Sequence, residues 1–208
     1  MAQISEDRND RGAWSKFDYA RHLVATLAWI ANRQGDPVGL LSLSSRDSDI
    51  LPPATGERQW HRILRRLNDL GTGERFPVLE HVHSQMARLQ IPGLVILISD
   101  FYQASDEILS FVRRVSTTRN EVLALQLQCE DERDVPWRVP VRFEDLETGE
   151  TVLVSGSQAR ERYFEALEDY QSRLKKALAQ IDTQLHTLNI DRPMDEALYA
   201  FLDRRRRY

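Results

Sequence analysis

Cysteine is almost absent from this sequence of 208 residues, and Cys129 is its only one. A single thiol excludes an internal disulfide and any zinc site built from several cysteines. Long apolar runs are absent as well: the longest run of leucine, isoleucine and valine, Leu94 to Ile98, is far shorter than the roughly 20 residues of a membrane-spanning helix. The first ten residues are polar and lack the apolar core of a signal peptide. We therefore expect a cytoplasmic protein without a membrane span.

Lysine is also scarce, because Lys16, Lys175 and Lys176 are the only lysines among 28 basic residues. The formal net charge is −4, so the chain lacks the basic footprint of a nucleic-acid-binding protein. Only the arginines at 204–207 form a basic run, in a C-terminal tail over 204–208. Such a tail is more typical of a solvated terminus than of a binding arm. No nucleic-acid partner is expected.

Apolar strands and amphipathic helices alternate along most of the chain. The runs at 94–98 and 121–128 are continuously apolar or nearly so, which is typical of strands covered on both faces. This alternation predicts an α/β domain with a doubly wound, mostly parallel, Rossmann-like sheet flanked by helices. A small β-hairpin insertion is predicted near 141–154, and a helix is predicted over 77–90. Without repeats or linkers, residues 15–203 form one domain after a flexible lead-in over 1–14.

Asp100 is the leading candidate for chemistry, because it directly follows the most apolar strand. Ligands of open parallel sheets gather beyond the carboxyl ends of the strands. Three roles stay open for Asp100: a metal ligand, a general base, or a polar cap for the following loop. The five histidines form no site in sequence, and Cys129 has no obvious activating neighbour. No complete catalytic constellation is present, which favours a protein that is not an enzyme.

Several segments together resemble a known bacterial family. The most specific is the hairpin sequence Arg142–Glu150, and the others stand in the same order, at Lys16–Arg21, Gln34–Leu40, Leu51–Pro53, Leu94–Asp100 and Arg192–Leu198. They resemble the domain of unknown function 58, a von Willebrand factor A-like group, from about residue 16 to 203. The resemblance implies a von Willebrand A-like fold and a non-enzymatic adaptor that works beside MoxR-type AAA+ ATPases.

The resemblance also implies a metal-ion-dependent adhesion site, which this sequence matches only in part. Such a site binds Mg²⁺ through an Asp-x-Ser-x-Ser motif, a later threonine and a late aspartate. Asp100 fits the late aspartate, but Phe76 stands where the threonine is expected, and the Asp-x-Ser-x-Ser motif is missing. We therefore expect a degenerate site that needs no cofactor, with Mg²⁺ binding as the alternative.

The resemblance further suggests that a strand is missing, since the absent motif follows the first strand of the family. That strand is central in the family's sheet, so its absence would leave backbone groups of its neighbours unpaired. Our hypothesis is that an internal methionine has been taken as the start. Genomic codons upstream of Met1 test it, because an immediate stop codon would rule it out.

Protein binding is the function that the sequence favours. The partner would be a MoxR-type AAA+ ATPase or another von Willebrand A protein, bound at the carboxyl edge of the sheet. The predicted contact residues are Phe101, Tyr102, Thr72, Glu74 and Phe76. The alternative is a small doubly wound metal-dependent hydrolase or nucleotide-binding enzyme that uses Asp100, with Glu74 as the nearest candidate for a second carboxylate.

Overall fold

Helices and strands alternate along the described chain, as the sequence predicts. The computed structural model describes residues 14–44, 49–71, 76–77, 92–102, 105–116, 120–133, 141–144, 151–154 and 157–205. In chain order the elements are α1 (Lys16–Arg33), β1 (Val38–Ser42), β2 (Asp49–Ala54), α2 (Glu57–Asp69), β3 (Leu94–Ser99), α3 (Ser105–Ser116), β4 (Glu121–Gln128), α4 (Glu130–Arg133), β5 (Val141–Glu144), β6 (Thr151–Val154), α5 (Ser157–Ala179), β7 (Gln184–Asn189) and α6 (Met194–Arg205). The predicted helix over 77–90 and most of the lead-in lie outside the described residues.

Strands β3, β4 and β7 form a parallel sheet with β4 in the middle. Every residue of β4 after Glu121 is buried, which its nearly continuous apolar sequence predicts. One face of this strand packs against α1 and α6 through Leu123, Leu125 and Leu127. The other face packs against α3 and α5 through Val122 and Ala124. The sheet is thus covered by helices on both sides.

The remaining described strands form two antiparallel pairs instead of extending the parallel sheet. β1 pairs with β2, with Leu40 opposite Leu51, and β5 pairs with β6, with Phe143 opposite Val152. The second pair confirms the hairpin predicted over 141–154. The predicted parallel sheet flanked by helices is confirmed for β3, β4 and β7, whereas the other described strands form two separate antiparallel pairs. Continuous apolar runs identify covered strands, but they do not determine which strand lies beside which.

Helix α1 begins as the sequence predicts and packs along much of its length. The Ser15 Oγ accepts a hydrogen bond from the Asp18 backbone N–H at 3.0 Å and donates one to the Asp18 carboxylate at 2.7 Å. This is an N-cap, which satisfies a backbone donor that the first helical turn leaves free. Among the described helices, none is both long and apolar enough to cross a lipid bilayer.

Candidate functional site

A tight turn follows β3 at the carboxyl edge of the parallel sheet. The Phe101 N–H donates a hydrogen bond to the Ser99 Oγ at 3.0 Å, and the Tyr102 N–H donates one to the Asp100 Oδ1 at 3.2 Å. Phe101 has a φ of 62°, which lies in the left-handed region that large side chains rarely adopt. One oxygen of Asp100 therefore caps the turn, which is one of the three roles the sequence leaves open.

Two side chains from other elements hold this strained turn in place. Gln126 of β4 is fully buried and donates from Nε2 to the Asp100 carbonyl oxygen at 3.2 Å. The Tyr170 hydroxyl of α5 donates to the Phe101 carbonyl oxygen. A backbone conformation that costs free energy persists only where its surroundings enforce it. These two donors provide that enforcement and fix the position of Asp100 and Tyr102.

Phe101 itself points into the protein, and its predicted role as an exposed anchor is wrong. Only 1% of its surface is exposed, and it packs in a core cluster with Ile108, Phe111 and Val112. The left-handed turn directs its side chain inward, while Tyr102 remains half-buried. Of the predicted contact residues in this turn, only Tyr102 therefore remains partly accessible.

The ammonium group of Lys16 lies between two carboxylates. Its Nζ forms an ion pair with the Glu132 Oε1 and lies 4.0 Å from the Asp100 Oδ2. The same Nζ lies 5.0 Å from the centroid of the Tyr102 ring, within the range of a cation–π contact. Three elements meet here: the first turn of α1, the turn after β3, and α4. They form the candidate site.

Sequence reasoning missed Lys16 and Glu132. A signal for each exists: Lys16 is one of only three lysines, and Glu132 follows the carboxyl end of β4 as Asp100 follows that of β3. Carboxyl ends of parallel strands meet at one edge, so a carboxylate after each strand is expected to lie in the same region. Their separation of 116 residues hides the pair from any local pattern.

Tyrosines and one thiol surround this charged group. The Tyr102 hydroxyl accepts a bond from the Gln128 Nε2 at 3.4 Å, and the Tyr102 ring lies 5.7 Å from that of Tyr170. The Tyr163 hydroxyl donates to the Glu132 carbonyl oxygen at 3.3 Å. The Cys129 N–H donates to the Glu132 Oε2 at 3.2 Å. Glu132 is thus bonded through both of its carboxylate oxygens and its backbone carbonyl.

Burial moves the pKa values of the nearby thiol and phenol groups still further above neutral pH. Burial first, and then the nearby Glu132 charge, raise the pKa of the Cys129 thiol to about 11. Burial and then the Asp100 charge raise the pKa of Tyr170 to about 12. Burial and the Glu132 charge also raise the pKa of Tyr102. None of the three supplies a thiolate or phenolate, which are the reactive forms of these side chains.

The described residues at this edge do not fit a Mg²⁺ site. Magnesium prefers an octahedron of hard oxygen ligands, and here the ammonium of Lys16 lies between the two carboxylates that would supply them. Within the ranges described, no three histidine, cysteine or acidic side chains are arranged to hold a metal ion. A divalent cation would have to displace Lys16.

The other predicted contact residues do not join this group. Thr72 and Glu74 lie outside the described residues, so nothing is stated of their positions. Phe76 is half-buried and packs edge-on against Phe111, with ring centroids 6.1 Å apart. It belongs to the core cluster beneath the turn and not to the surface beside Asp100.

Comparisons with solved structures show similarity in fold. The crystal structure described as conserved hypothetical protein BatB from Bacteroides thetaiotaomicron is 9% identical, with a TM-score of 0.50 over 83% of this chain and 80% of that chain. An uncharacterized membrane spanning protein from Vibrio fischeri is 13% identical over 90% of this chain and 83% of that chain, with a TM-score of 0.27, which is too low to indicate a shared fold. No curated protein matches the chain.

The family comparison covers most of the sequence. The family model described as Protein of unknown function DUF58 matches residues 4–173. This range contains Lys16, Asp100, Tyr102 and Glu132, and it therefore includes every element that builds the candidate site. The resemblance read from the sequence is confirmed: the chain belongs to the DUF58 family.

Proposed function

We propose that this chain is a non-enzymatic protein-interaction domain of the von Willebrand A type, which binds its partner at the carboxyl edge of the parallel sheet. One observation supports the proposal: the ammonium of Lys16 lies between the carboxylates of Asp100 and Glu132, at the carboxyl edge of the parallel sheet. The chain's own side chain takes the place of the metal. The site is a degenerate adhesion site with an internal cation.

The residues around Lys16 and Asp100 are better suited to binding a partner protein than to catalysis. The turn that carries Asp100 and Tyr102 is fixed by Gln126 and Tyr170, so little conformational entropy is lost when a partner contacts it. Tyrosine is enriched among the residues that dominate interfaces, because it offers a rigid apolar ring and a polar end. The nearby thiol of Cys129 stays protonated and lacks a nucleophile's reactivity.

The family resemblance suggests the partner. A MoxR-type AAA+ ATPase is the first candidate, and another von Willebrand A protein is the second. Lys16 and Asp100 both retain some exposure, at 18% and 24% of their side chains. A partner whose charged side chains are complementary to those of Lys16 and Asp100 would form ion pairs with these partly buried groups. Complementary charges of this kind contribute specificity.

Substitution of Tyr102 tests the proposal. Tyr102→Ala should weaken binding to the MoxR-type ATPase encoded nearest to this gene by at least about tenfold, because it removes the ring at the centre of the site. Biolayer interferometry measures the dissociation constant, and circular dichroism checks the fold. Tyr199→Ala on α6 is the matched control, since Tyr199 is 75% exposed and distant in sequence. Equal affinity of a folded Tyr102→Ala protein would contradict the proposal.

One observation favours the alternative of a metal-dependent enzyme that uses Asp100. Glu132 supplies the second carboxylate that such an enzyme requires, where the sequence could suggest only Glu74. However, Lys16 neutralises this carboxylate and lies near that of Asp100. We therefore retain the interaction domain as the principal proposal.

A further inference from the structure

Helix α2 carries a row of arginines on its exposed face. Arg58, Arg62 and Arg65 are all exposed, and they stand four and three residues apart, a spacing that places them on one side of a helix. Another side of the same helix, with Ile63 and Leu67, is buried in a core cluster that includes residues of α1 and β1. We call the three arginines the arginine stripe. It faces solvent because the helix is anchored in the core by its apolar side.

The arginine stripe keeps its positive charge within the part of the chain that the structure describes. Arg62 donates from Nη1 to the Gln59 Oε1 at 3.3 Å, but this amide is neutral. The one acidic residue in the first turn of α2, Glu57, lies instead beside His61, with 3.8 Å between the Glu57 Oε1 and the His61 Nε2. Like charges three or four residues apart destabilise a helix. The stripe therefore has a cost that an opposite charge would remove.

Helix α5 carries a matching row of acidic side chains. Glu161, Glu165 and Glu168 are exposed and have the same spacing of four and three residues. The opposite face of this helix is buried, with Leu174 and Leu178 in the core. We call the three acidic residues the glutamate stripe. Each stripe is about 10 Å long, from the rise per residue of an α-helix.

The two stripes do not pair with each other inside one molecule. Helix α2 packs against α1 and β1, whereas α5 packs with α3 against the face of the parallel sheet opposite α1. Among the described residues, no ion pair links α2 with α5, and the acid that does reach α2 is Asp49 of β2, which pairs with Arg66 outside the stripe. Opposite charge, equal spacing and equal length therefore make the two stripes complementary between molecules.

We propose that the arginine stripe of one copy of this chain binds the glutamate stripe of a second copy. Guanidinium groups pair with carboxylates through two parallel hydrogen bonds, which suits opposed rows of the two side chains. Because the contact joins two different surfaces, it is head-to-tail and extends to further copies as a ring or a chain. Exposed ion pairs are individually weak and are screened by salt, so the assembly should be reversible and strongest at low ionic strength.

An anionic membrane is the competing occupant of the arginine stripe, and it fits less well. A helix that binds at a lipid surface inserts its apolar side chains into the interface. Ile63 and Leu67 of α2 are instead committed to the core. The net charge of −4 also opposes attraction of the whole chain to an anionic surface.

Sedimentation velocity of the full chain tests this inference. At about 20 mM salt, the weight-average mass should rise at least about twofold between about 10 µM and about 500 µM protein, and at about 500 mM salt it should stay that of the monomer. The dependence on salt is expected because the contact consists of exposed charges.

Charge reversal identifies the two surfaces. Arg62→Glu combined with Arg65→Glu should remain monomeric, and so should Glu165→Arg combined with Glu168→Arg, because each variant brings like charges together at the contact. An equimolar mixture of the two variants should regain the concentration-dependent mass, since every contact between them again joins opposite charges. Circular dichroism checks that both variants are folded.

The matched control is Lys175→Glu combined with Lys176→Glu. These exposed lysines lie on α5 outside the glutamate stripe, and their reversal changes the net charge by the same amount as reversal of the two arginines. This control should associate at least as strongly as the unchanged chain.

Four results would overturn the inference. The unchanged chain stays monomeric at low salt, the two reversed variants associate as it does, or their mixture stays monomeric. In the fourth, the unchanged chain is monomeric but cosediments with phosphatidylserine vesicles and not with phosphatidylcholine vesicles, which would assign the arginine stripe to a lipid surface. The readout needs neither the ATPase nor Tyr102, so its failure is distinguishable from failure of the proposed function.

Discussion

At the scale of single residues, Lys16 determines how well a metal ion would fit at the candidate site. Its ammonium group lies beside both of the carboxylates that would bind a cation there. It also competes with any divalent cation for the same oxygens. The family resemblance alone is compatible with a site that binds Mg²⁺ and with a site that binds no metal. The position of the Lys16 ammonium favours the site without a metal.

Isothermal titration calorimetry measures directly whether the candidate site binds Mg²⁺. Titration of the protein with Mg²⁺ should give no saturable heat at concentrations up to about 1 mM, the upper range for weak protein sites for divalent cations. A one-site isotherm that is lost in Asp100→Asn but kept in the surface control Asp36→Asn would instead support a metal-dependent site. That result would support both the metal-binding adhesion site and the metal-dependent enzyme.

Cys129 provides a second prediction at this scale, based on pH. Its pKa of about 11 in the folded protein compares with an ordinary value of 9.0. At about pH 9 the folded thiol is almost fully protonated, whereas half of the unfolded thiols are ionised. Iodoacetamide should therefore modify the folded protein about fifty-fold more slowly than the urea-unfolded protein.

The raised pKa of Cys129 also makes the stability of the folded protein depend on pH. Because the folded-state pKa is raised, the favourable contribution of the protonated thiol is complete below about pH 9 and is lost as the pH rises toward 11. Cys129→Ser removes the modification and confirms the assignment, since Cys129 is the only cysteine. Equal modification rates in the folded and unfolded chain would contradict the burial of this group.

At the scale of elements, the hairpin of β1 and β2 depends on a close approach at Gly39. A Cβ atom at this position would lie 2.8 Å from the Leu51 carbonyl oxygen and 3.0 Å from the Pro53 nitrogen. Both atoms belong to the backbone of β2 and cannot move aside as a flexible side chain would. The hairpin thus requires a residue without a side chain at this position.

Replacement of Gly39 measures this constraint. Gly39→Ala should lower the free energy of unfolding by about 1–3 kcal/mol, the usual cost of forcing extra atoms into a packed region. Gly71→Ala is the matched control, because a Cβ there meets nothing within 4 Å, and its effect should stay within about 0.5 kcal/mol. Urea titration followed by circular dichroism compares the two. Similar stabilities would show that β2 can shift away from β1.

At the scale of the whole molecule, local patterns predicted the elements better than their arrangement. The continuous apolar runs identified β3 and β4, and the Ser15 cap identified the start of α1. The alternation of elements indicated a mostly parallel sheet, whereas only three of the described strands are parallel and the other four form two antiparallel pairs. Strand order depends on contacts distant in sequence, which periodicity does not encode.

The candidate site, like the fold, could be predicted only in part from local sequence patterns. Asp100 was identifiable because it follows the most apolar strand. The inward direction of Phe101 was not, because it accompanies a left-handed turn whose backbone bonds Tyr170, 69 residues away. Local sequence marks where a site can form, and distant residues decide which side chains reach the surface.

The scarcity of lysine determines how the molecule can be attached to a surface. Lys16 is engaged at the carboxyl edge of the parallel sheet, whereas Lys175 and Lys176 are exposed near the end of α5, which leads into the first residue of β7. The last two therefore lie toward the amino edge, opposite Asp100. Chemical coupling through side-chain amines should fix the protein to a sensor by that end, with the candidate site facing the solution in a common orientation.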